Sequence, residues 1–220
     1  MYMTDTKLTD TNSYTFPFDT CEKPREKGIA QPYSVTINVI SSLVVLFFLL
    51  KTRKLHAFLL LFSLLLFDLS HTFSHFVHVK PGVQVTLVHV LAYFLNFSFF
   101  YALYKYTKKI PSKLFIVFLI FILSFDIYAF FNLSLLFYLL TQILFFFSII
   151  IYYYKSLSTF IKKKLNVLLV IISIIYIGFI NESFNCKNML QKFPNFPFHA
   201  LIEMLILGAI YFFSSSFYKL

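Results

Sequence analysis

Seven long apolar runs, separated by short polar breaks, most constrain what this chain can fold into. The chain is 59% hydrophobic and only 13% charged over 220 residues, whereas a soluble domain has roughly a quarter of its residues charged. A fold in water could not bury this much apolar surface, so lipid must be the solvent. Helices satisfy their own backbone hydrogen bonds in lipid, and the pattern predicts an all-α integral membrane protein.

The apolar runs predict a bundle of seven transmembrane helices. They cover 34–50, 55–78, 83–104, 114 to a fading end at 126–132, 133–154, 165–180 and 196–217. This divides the chain into an extracytoplasmic N-terminal segment (1–33), a transmembrane domain (34–217) and a short tail (218–220). Residues 1–31 contain no apolar core of a signal peptide, so the first helix is expected to act as the signal.

The positive charge of the chain, +10 at pH 7, predicts its orientation. Most Lys and Arg residues follow the odd-numbered helices: Lys51, Arg53, Lys54; Lys105, Lys108, Lys109, Lys113; Lys155, Lys162, Lys163, Lys164. Basic loops stay in the cytoplasm, which places the N-terminus outside and the C-terminus inside. Orientation accounts for these charges, so nucleic acid is not expected as a partner. The pattern fits a bacterial inner membrane or a eukaryotic ER or Golgi membrane, and specifies no oligomeric state.

The two cysteines lie on the same, extracytoplasmic side in this topology. Cys21 belongs to the N-terminal segment and Cys186 to the predicted loop before the seventh helix. Disulfides persist in oxidising compartments. The sequence therefore predicts a Cys21–Cys186 bridge, with two free thiols as the alternative.

Ionisable side chains inside the predicted helices gather near the extracytoplasmic end. They are Asp68, His71, His75 and His78 on one face of helix two, His89 at the start of helix three, and the i, i+4 pair His199 and Glu203 in helix seven. An ionisable residue at the bilayer centre costs about 2.5–3.5 kcal/mol on insertion scales, so each needs a reason. Interfacial histidines and a structural hydrogen bond to Asp68 are one reading. His and Glu offered by two helices at one depth also indicate a metal site.

Several short motifs resemble the alkaline ceramidase family of seven-helix membrane hydrolases. They are Asp19-Thr20-Cys21-Glu22, Gln31-Pro32, Asn38-Val39-Ile40-Ser41, Ser74-x3-His78 with His89 eleven residues later, Cys186, and His199-x3-Glu203. Their order and spacing agree with the family over nearly the whole chain. The chain departs from the family at several positions. The family has His at the position of Glu203, Asp at that of His89, an aromatic residue at that of Thr20 and small residues at 69–73, before Ser74.

The resemblance implies a zinc ion bound by His78, His199 and Glu203. Two His and one Glu, with water in the fourth position, is a known catalytic zinc set. His71 and His75 form a second His-x3-His pair, and together with Asp68 they are alternative ligands. Some family members also bind calcium through the first motif. Only Asp19 and Glu22 of that calcium site are retained, which argues against calcium here.

The function that the resemblance implies is hydrolysis of a membrane lipid amide such as ceramide to a fatty acid and an amine base. Zinc would activate water, with His89 or an unligated Glu203 as base and Ser74 as hydrogen-bond donor to the oxyanion. A catalytically degenerate member, acting as a lipid-binding or receptor-type membrane protein, is the alternative. A proton or metal transporter is a third reading, but the nearly apolar helices four to six offer no polar path to the cytoplasmic side.

Overall fold

The computed structural model of the chain describes residues 21, 22, 25, 28–76, 81–132, 135–193 and 196–220. In this part of the chain the regular structure is seven α-helices and no strand, which confirms the all-α prediction. The helices are α1 (Pro32–Leu50), α2 (Leu55–Phe76), α3 (Pro81–Thr107), α4 (Lys113–Asn132), α5 (Leu135–Tyr154), α6 (Thr159–Lys192) and α7 (Phe198–Phe217).

Six of these helices are long enough and apolar enough to cross a membrane, counted over the described residues. For α5 the same count covers only Leu140–Tyr154, which is predominantly apolar. Large apolar side chains cover the outside of the bundle; Leu114 is 80% exposed and Ile151 72% exposed. Such a surface needs lipid around it. The chain is a multi-pass membrane protein, as predicted.

The packing of the helices brings α2 and α7 into contact. α2 packs against α1 and α3, α7 packs against α1 and α6, and α5 connects α3 to α4. A smaller contact joins α2 directly to α7. This arrangement brings the last turns of α2 next to the first turns of α7, because the two helices run in opposite directions.

A glycine allows α6 and α7 to approach closely at the same end. A methyl group on Gly178 would lie 3.3 Å from Cγ1 of Ile202, tighter than ordinary van der Waals contact. Small residues at helix interfaces permit such close approach in membrane proteins. Gly178 lies one turn before Glu182, and Ile202 directly precedes Glu203, so the contact aligns the two acidic residues.

The sixth helix is much longer than predicted, which corrects the 165–180 range. α6 begins after Ser158, whose hydroxyl caps the helix by accepting from the Ile161 N–H, and it ends at Lys192. Its 34 residues span about 51 Å, more than the hydrocarbon core of about 30 Å. Hydropathy identifies only the apolar part of a helix. It therefore does not predict the polar extension of α6, residues 181–192. Cys186 accordingly lies on α6 and not in a loop.

The fourth helix continues through Asp126 and ends at Asn132, at the far end of the predicted range. Asp126 is 2% exposed, and its carboxylate accepts hydrogen bonds from Tyr93 of α3 and from Thr141 and Gln142 of α5. Three donors satisfy this carboxylate inside the bundle, so the helix carries it without ending. The other described helix ends lie within three residues of the predicted ones.

The predicted disulfide is confirmed: Cys21 is bonded to Cys186. The bond ties the segment before α1 to the polar extension of α6. Cys21 is completely buried.

Asp68 has the structural role that the sequence left open. It is 1% exposed, and the hydroxyls of Ser41 and Ser42 on α1 both donate to its Oδ2 at 2.6 Å. Hydrogen bonds to a charged group contribute about 1.5–3 kcal/mol each. The three side chains therefore clamp α1 to α2 one helical turn below His71.

Removing both hydroxyls of this clamp is expected to destabilise the bundle. In Ser41→Ala/Ser42→Ala the buried Asp68 carboxylate loses both donors, and we expect the free energy of unfolding to fall by about 3 kcal/mol. Thermal unfolding in detergent measures the change. Ser173→Ala is the matched control, because Ser173 is exposed and donates only to Leu169 within α6. An equally small shift in both variants would contradict the clamp.

Candidate metal centre

Three imidazoles converge on one carboxylate where α2 meets α7. Nε2 of His199 lies 3.0 Å from Oε1 of Glu203, Nε2 of His75 lies 3.4 Å from it, and Nε2 of His71 lies 3.8 Å from it. The positions follow from the helical repeat, since residues four apart on a helix share a face. We call these four residues the His–Glu cluster.

The tightest part of the cluster has the dimensions of a metal site. Within the described residues, the ligand atoms of His71, His75 and Glu203 all lie within 4.8 Å of one another. The two histidine Nε2 atoms are 3.2 Å apart. Zinc–ligand bonds of 2.0–2.2 Å at tetrahedral angles place neighbouring ligand atoms about 3.3–3.6 Å apart. The three donor atoms therefore fit a small divalent cation with little movement.

The tautomer of His75 is fixed by a chain of hydrogen bonds from the N-terminal segment. The Gln31 Nε2 group donates to the Glu22 carbonyl at 2.7 Å, which directs the Gln31 amide oxygen toward His75. His75 Nδ1–H donates to that oxygen. The lone pair of His75 is thus on Nε2, which faces Glu203. Ligand histidines in metal sites commonly donate their other N–H in this way.

The tautomer of His199 is fixed in the same manner by an acidic residue. His199 Nδ1 lies 2.9 Å from Oε2 and 3.0 Å from Oε1 of Glu182 on α6. A carboxylate accepts but does not donate, so the proton of a neutral His199 is on Nδ1. Its Nε2 then presents a lone pair toward Glu203.

The Glu203 carboxylate lies among the imidazoles without a hydrogen bond of suitable geometry. Glu203 is fully buried, and neither carboxylate oxygen makes a hydrogen bond of suitable angle to any described residue. The short distances to the imidazoles are close contacts without hydrogen-bond geometry. A buried carboxylate without donors is strongly unfavourable. A cation between the imidazoles and the carboxylate would satisfy every lone pair that points inward.

Three of the four cluster residues are buried, and His71 is partly exposed. His75 and Glu203 are fully buried and His199 is 2% exposed, whereas 16% of the His71 side chain is accessible. Phe67 stacks on the His71 ring. His71 is therefore the most accessible of the four cluster residues.

The remaining predicted site residues lie elsewhere or have other contacts. The Ser74 hydroxyl donates to the His71 carbonyl within α2. The His89 ring stacks on Phe130 of α4 and packs edge-on against Tyr93. Their catalytic roles stay predictions, and so does the ligand role of His78, which lies outside the described residues.

The two residues predicted for calcium are only partly described. The Glu22 carboxylate accepts from the main-chain N–H groups of Tyr33 and Ser34 and from the Ser34 hydroxyl, so it stabilises the first turn of α1. Acidic groups are favourable at a helix N-terminus. Asp19 lies outside the described residues, and a calcium site stays untested.

Sequence reasoning missed Gln31 and Glu182 as parts of the site. Gln31 was noticed only as half of the Gln31-Pro32 motif. Glu182 is one of nine acidic residues in the chain and lies two residues after the end of a predicted transmembrane run. This position could have indicated that Glu182 belongs to the site. An acidic residue at the membrane boundary needs a partner when its side chain faces the protein.

Comparison with protein-family models, with curated proteins and with solved structures finds no match to this chain. The family resemblance therefore rests on the short motifs themselves.

Proposed function

We propose that this chain is a zinc-dependent membrane hydrolase of the alkaline ceramidase type, which cleaves a ceramide-like lipid amide to a fatty acid and an amine base. The observation that carries the proposal is the convergence of His71, His75 and Glu203 on one buried point. Two imidazoles and a carboxylate are a donor set suited to catalytic zinc.

The proposal includes seven spans with the N-terminus outside the cytoplasm. The ends that join α1 to α2, α3 to α4 and α5 to α6 hold eleven Lys and Arg residues between Lys51 and Lys164. The His–Glu cluster lies at the opposite end of the bundle. Basic ends in the cytoplasm put the cluster in the extracytoplasmic half, where the Cys21–Cys186 bond would persist.

In this proposal His71, His75 and Glu203 hold the metal and His199 handles the proton. A bound zinc ion would polarise the amide carbonyl and make water a nucleophile near pH 7. A neutral His199 with its Nδ1–H on Glu182 would present its Nε2 lone pair to the cluster, the arrangement in which an imidazole acts as a general base. It can take the proton of the attacking water at Nε2 and return it to the leaving amine.

The substrate would approach on the side of His71, the one accessible member of the cluster. Phe67 is stacked on this imidazole and offers an apolar surface to a lipid chain. A lipid amide can bring its polar group to this depth from within the membrane, whereas a water-soluble amide would have to leave water first.

A second candidate function is a metal-binding family member without hydrolytic activity, acting in lipid binding or as a receptor. The specific observation in its favour concerns Ser74 and His89. The Ser74 hydroxyl bonds within α2, and the His89 ring packs against α3 and α4 side chains. An enzyme of this family type would use groups at these positions beside the metal.

Hydrolysis of lipid amides by the protein in nanodiscs separates the two candidates. We expect release of fatty acid from a ceramide, loss of that activity after chelation, and recovery on adding zinc. A matched set of ceramides and diacylglycerols tests amide against ester. A protein that binds stoichiometric zinc but releases no fatty acid from any lipid would overturn the hydrolase proposal in favour of the second candidate.

A further inference from the structure

An apolar cavity of about 200 Å³ lies where α3, α4 and α5 meet, far from the His–Glu cluster. Every described residue that lines it is apolar, and the lining comes from all three helices and from the connection between α3 and α4; it includes Phe97, Phe100, Pro111, Ile116, Leu119 and Phe145. Close-packed protein interiors leave few voids larger than a water molecule. An apolar cavity does not hold water, so the molecule that fills this one must be apolar.

The cavity runs from the surface of the bundle into its interior. Ile116 of α4 and Phe97 of α3 belong to the lining and are 41% and 48% exposed. Leu119 and Phe145, also in the lining, are buried. The surface of a membrane-spanning bundle is covered by lipid. An acyl chain of a membrane lipid is therefore the apolar molecule that reaches the cavity from this surface.

A basic segment is fixed beside the cavity. Pro111, part of the lining, belongs to the α3–α4 connection, residues 108–112, and has a lysine two positions away on either side, Lys109 and Lys113. Lys109 Nζ donates to the Tyr152 carbonyl of α5 at 2.7 Å and lies 3.8 Å from the centre of its ring. The main-chain N–H of Ser112 donates to the Tyr152 hydroxyl at 2.8 Å. The connection is thereby attached to α5, and its positive charges stay close to the cavity.

Two lysines of this segment occupy positions that the local structure disfavours. Lys108 ends α3 with a φ of 53° while its main-chain N–H donates to the Tyr104 carbonyl, and glycine is the residue that favours this conformation. Lys113 is the first residue of α4, where a positive charge is unfavourable. Both side chains are exposed. Orientation in the membrane requires positive charge in this connection but not at these two positions, so the charges here indicate an anionic partner.

We propose that the cavity and the α3–α4 connection form a binding site for one anionic phospholipid, which we call the lipid site. One acyl chain occupies the cavity, and the phosphate group lies beside Lys108 and Lys113. Basic pockets between transmembrane helices bind phospholipid head groups in this way. The proposal does not depend on the proposed metal site, because the His–Glu cluster lies at the opposite end of the bundle.

The experiment is native mass spectrometry of the full-length protein, delipidated in a neutral detergent and titrated with a single phospholipid. Dioleoyl phosphatidylglycerol and dioleoyl phosphatidylcholine have the same acyl chains but differ in net charge. Each lysine near an anionic lipid contributes about fivefold in affinity. We therefore expect one tightly bound phosphatidylglycerol, with a Kd about 25-fold lower than that of phosphatidylcholine.

Lys108→Gly/Lys113→Gln tests the charged part of the lipid site. Both replacements are favourable for the local backbone or helix end, so the melting temperature should not fall. We expect the preference for phosphatidylglycerol to disappear. Lys155→Gln/Lys163→Gln is the matched control, because it removes two exposed lysines from the α5 and α6 ends on the same side of the bundle. The preference should persist in the control.

Ile116→Trp tests the apolar part of the lipid site, because the larger side chain fills the cavity. We expect loss of the one-lipid complex with both phospholipids. Val117→Trp is the control, since Val117 is the next residue of α4, is 61% exposed and is outside the described lining of the cavity. It should bind phosphatidylglycerol as the wild type does.

Three results would overturn the proposal. The first is equal affinity of the wild type for the two phospholipids. The second is an equal loss of preference in the two lysine pairs, which would indicate a general effect of net charge. The third is unchanged lipid binding in Ile116→Trp, which would place the bound lipid outside the cavity. None of these results bears on zinc binding, so the metal site is tested separately.

Discussion

Glu203→Gln is expected to lose stoichiometric zinc and, at the same time, to stabilise the metal-free protein. The anionic ligand contributes most of the attraction for a divalent cation in this buried site, so its loss should exceed the roughly 10–100-fold effect of an outer-shell change. The metal-free wild type keeps a fully buried carboxylate without donors. A neutral amide of the same shape removes that unfavourable charge.

The two halves of this prediction are measured separately. Elemental analysis of the purified variant gives the zinc content, and thermal unfolding after chelation gives the stability of the metal-free form. A higher melting temperature together with lost zinc is the expected pair, since functional sites commonly cost stability. A variant that keeps zinc, or that melts lower than wild type without zinc, would show that Glu203 has another role.

His75→Ala and His89→Ala form the second informative pair. Both histidines are buried and both were predicted near a site, but only His75 lies in the cluster, 3.4 Å from Glu203. His75→Ala is expected to abolish stoichiometric zinc binding, because it removes one of three ligands. His89→Ala is expected to retain zinc, because the His89 ring packs against Tyr93 and Phe130.

The comparison of the two histidine variants also tests the assignment of the cluster against the motif-based one. Zinc content measured side by side decides it. Loss of zinc in His89→Ala with retention in His75→Ala would mean that the metal lies nearer α3 than the described geometry indicates. The assignment of His75 as a zinc ligand would then be wrong.

The membrane character and most of the helix positions follow from the sequence, because hydropathy is a local property. The length of α6 does not follow, since its last turns are polar and stay helical through contacts with distant parts of the chain. The Glu182 carboxylate accepts a hydrogen bond from the main-chain N–H of Cys21, 161 positions earlier in the chain. Long-range contacts of this kind leave no periodic pattern.

The sequence predicts which face of α2 carries the site, but not which turn of that face lies next to Glu203. Spacing placed Asp68, His71, His75 and His78 on one side of α2, and the structure brings the middle two next to Glu203. One helical turn moves a side chain by about 5.4 Å along the axis, which is enough to exchange one ligand for another. Packing against α1 and α7 sets that register, and no local signal in α2 records it.

The disulfide could be predicted because the predicted topology puts both cysteines on one side of the membrane, independently of the detailed packing. The connection of the disulfide to the His–Glu cluster through Glu182 does not follow from topology. That link depends on Cys186 continuing α6 by one turn beyond Glu182, a consequence of the helix extension that hydropathy does not reveal.

The zinc content of the wild-type protein, purified in detergent without chelator, is the decisive measurement for the proposed zinc site. We expect close to one zinc per chain, bound tightly enough to survive purification and removed only by a strong chelator. A correctly folded protein, with its Cys21–Cys186 bond intact, that contains no metal and takes up none from added zinc would contradict it.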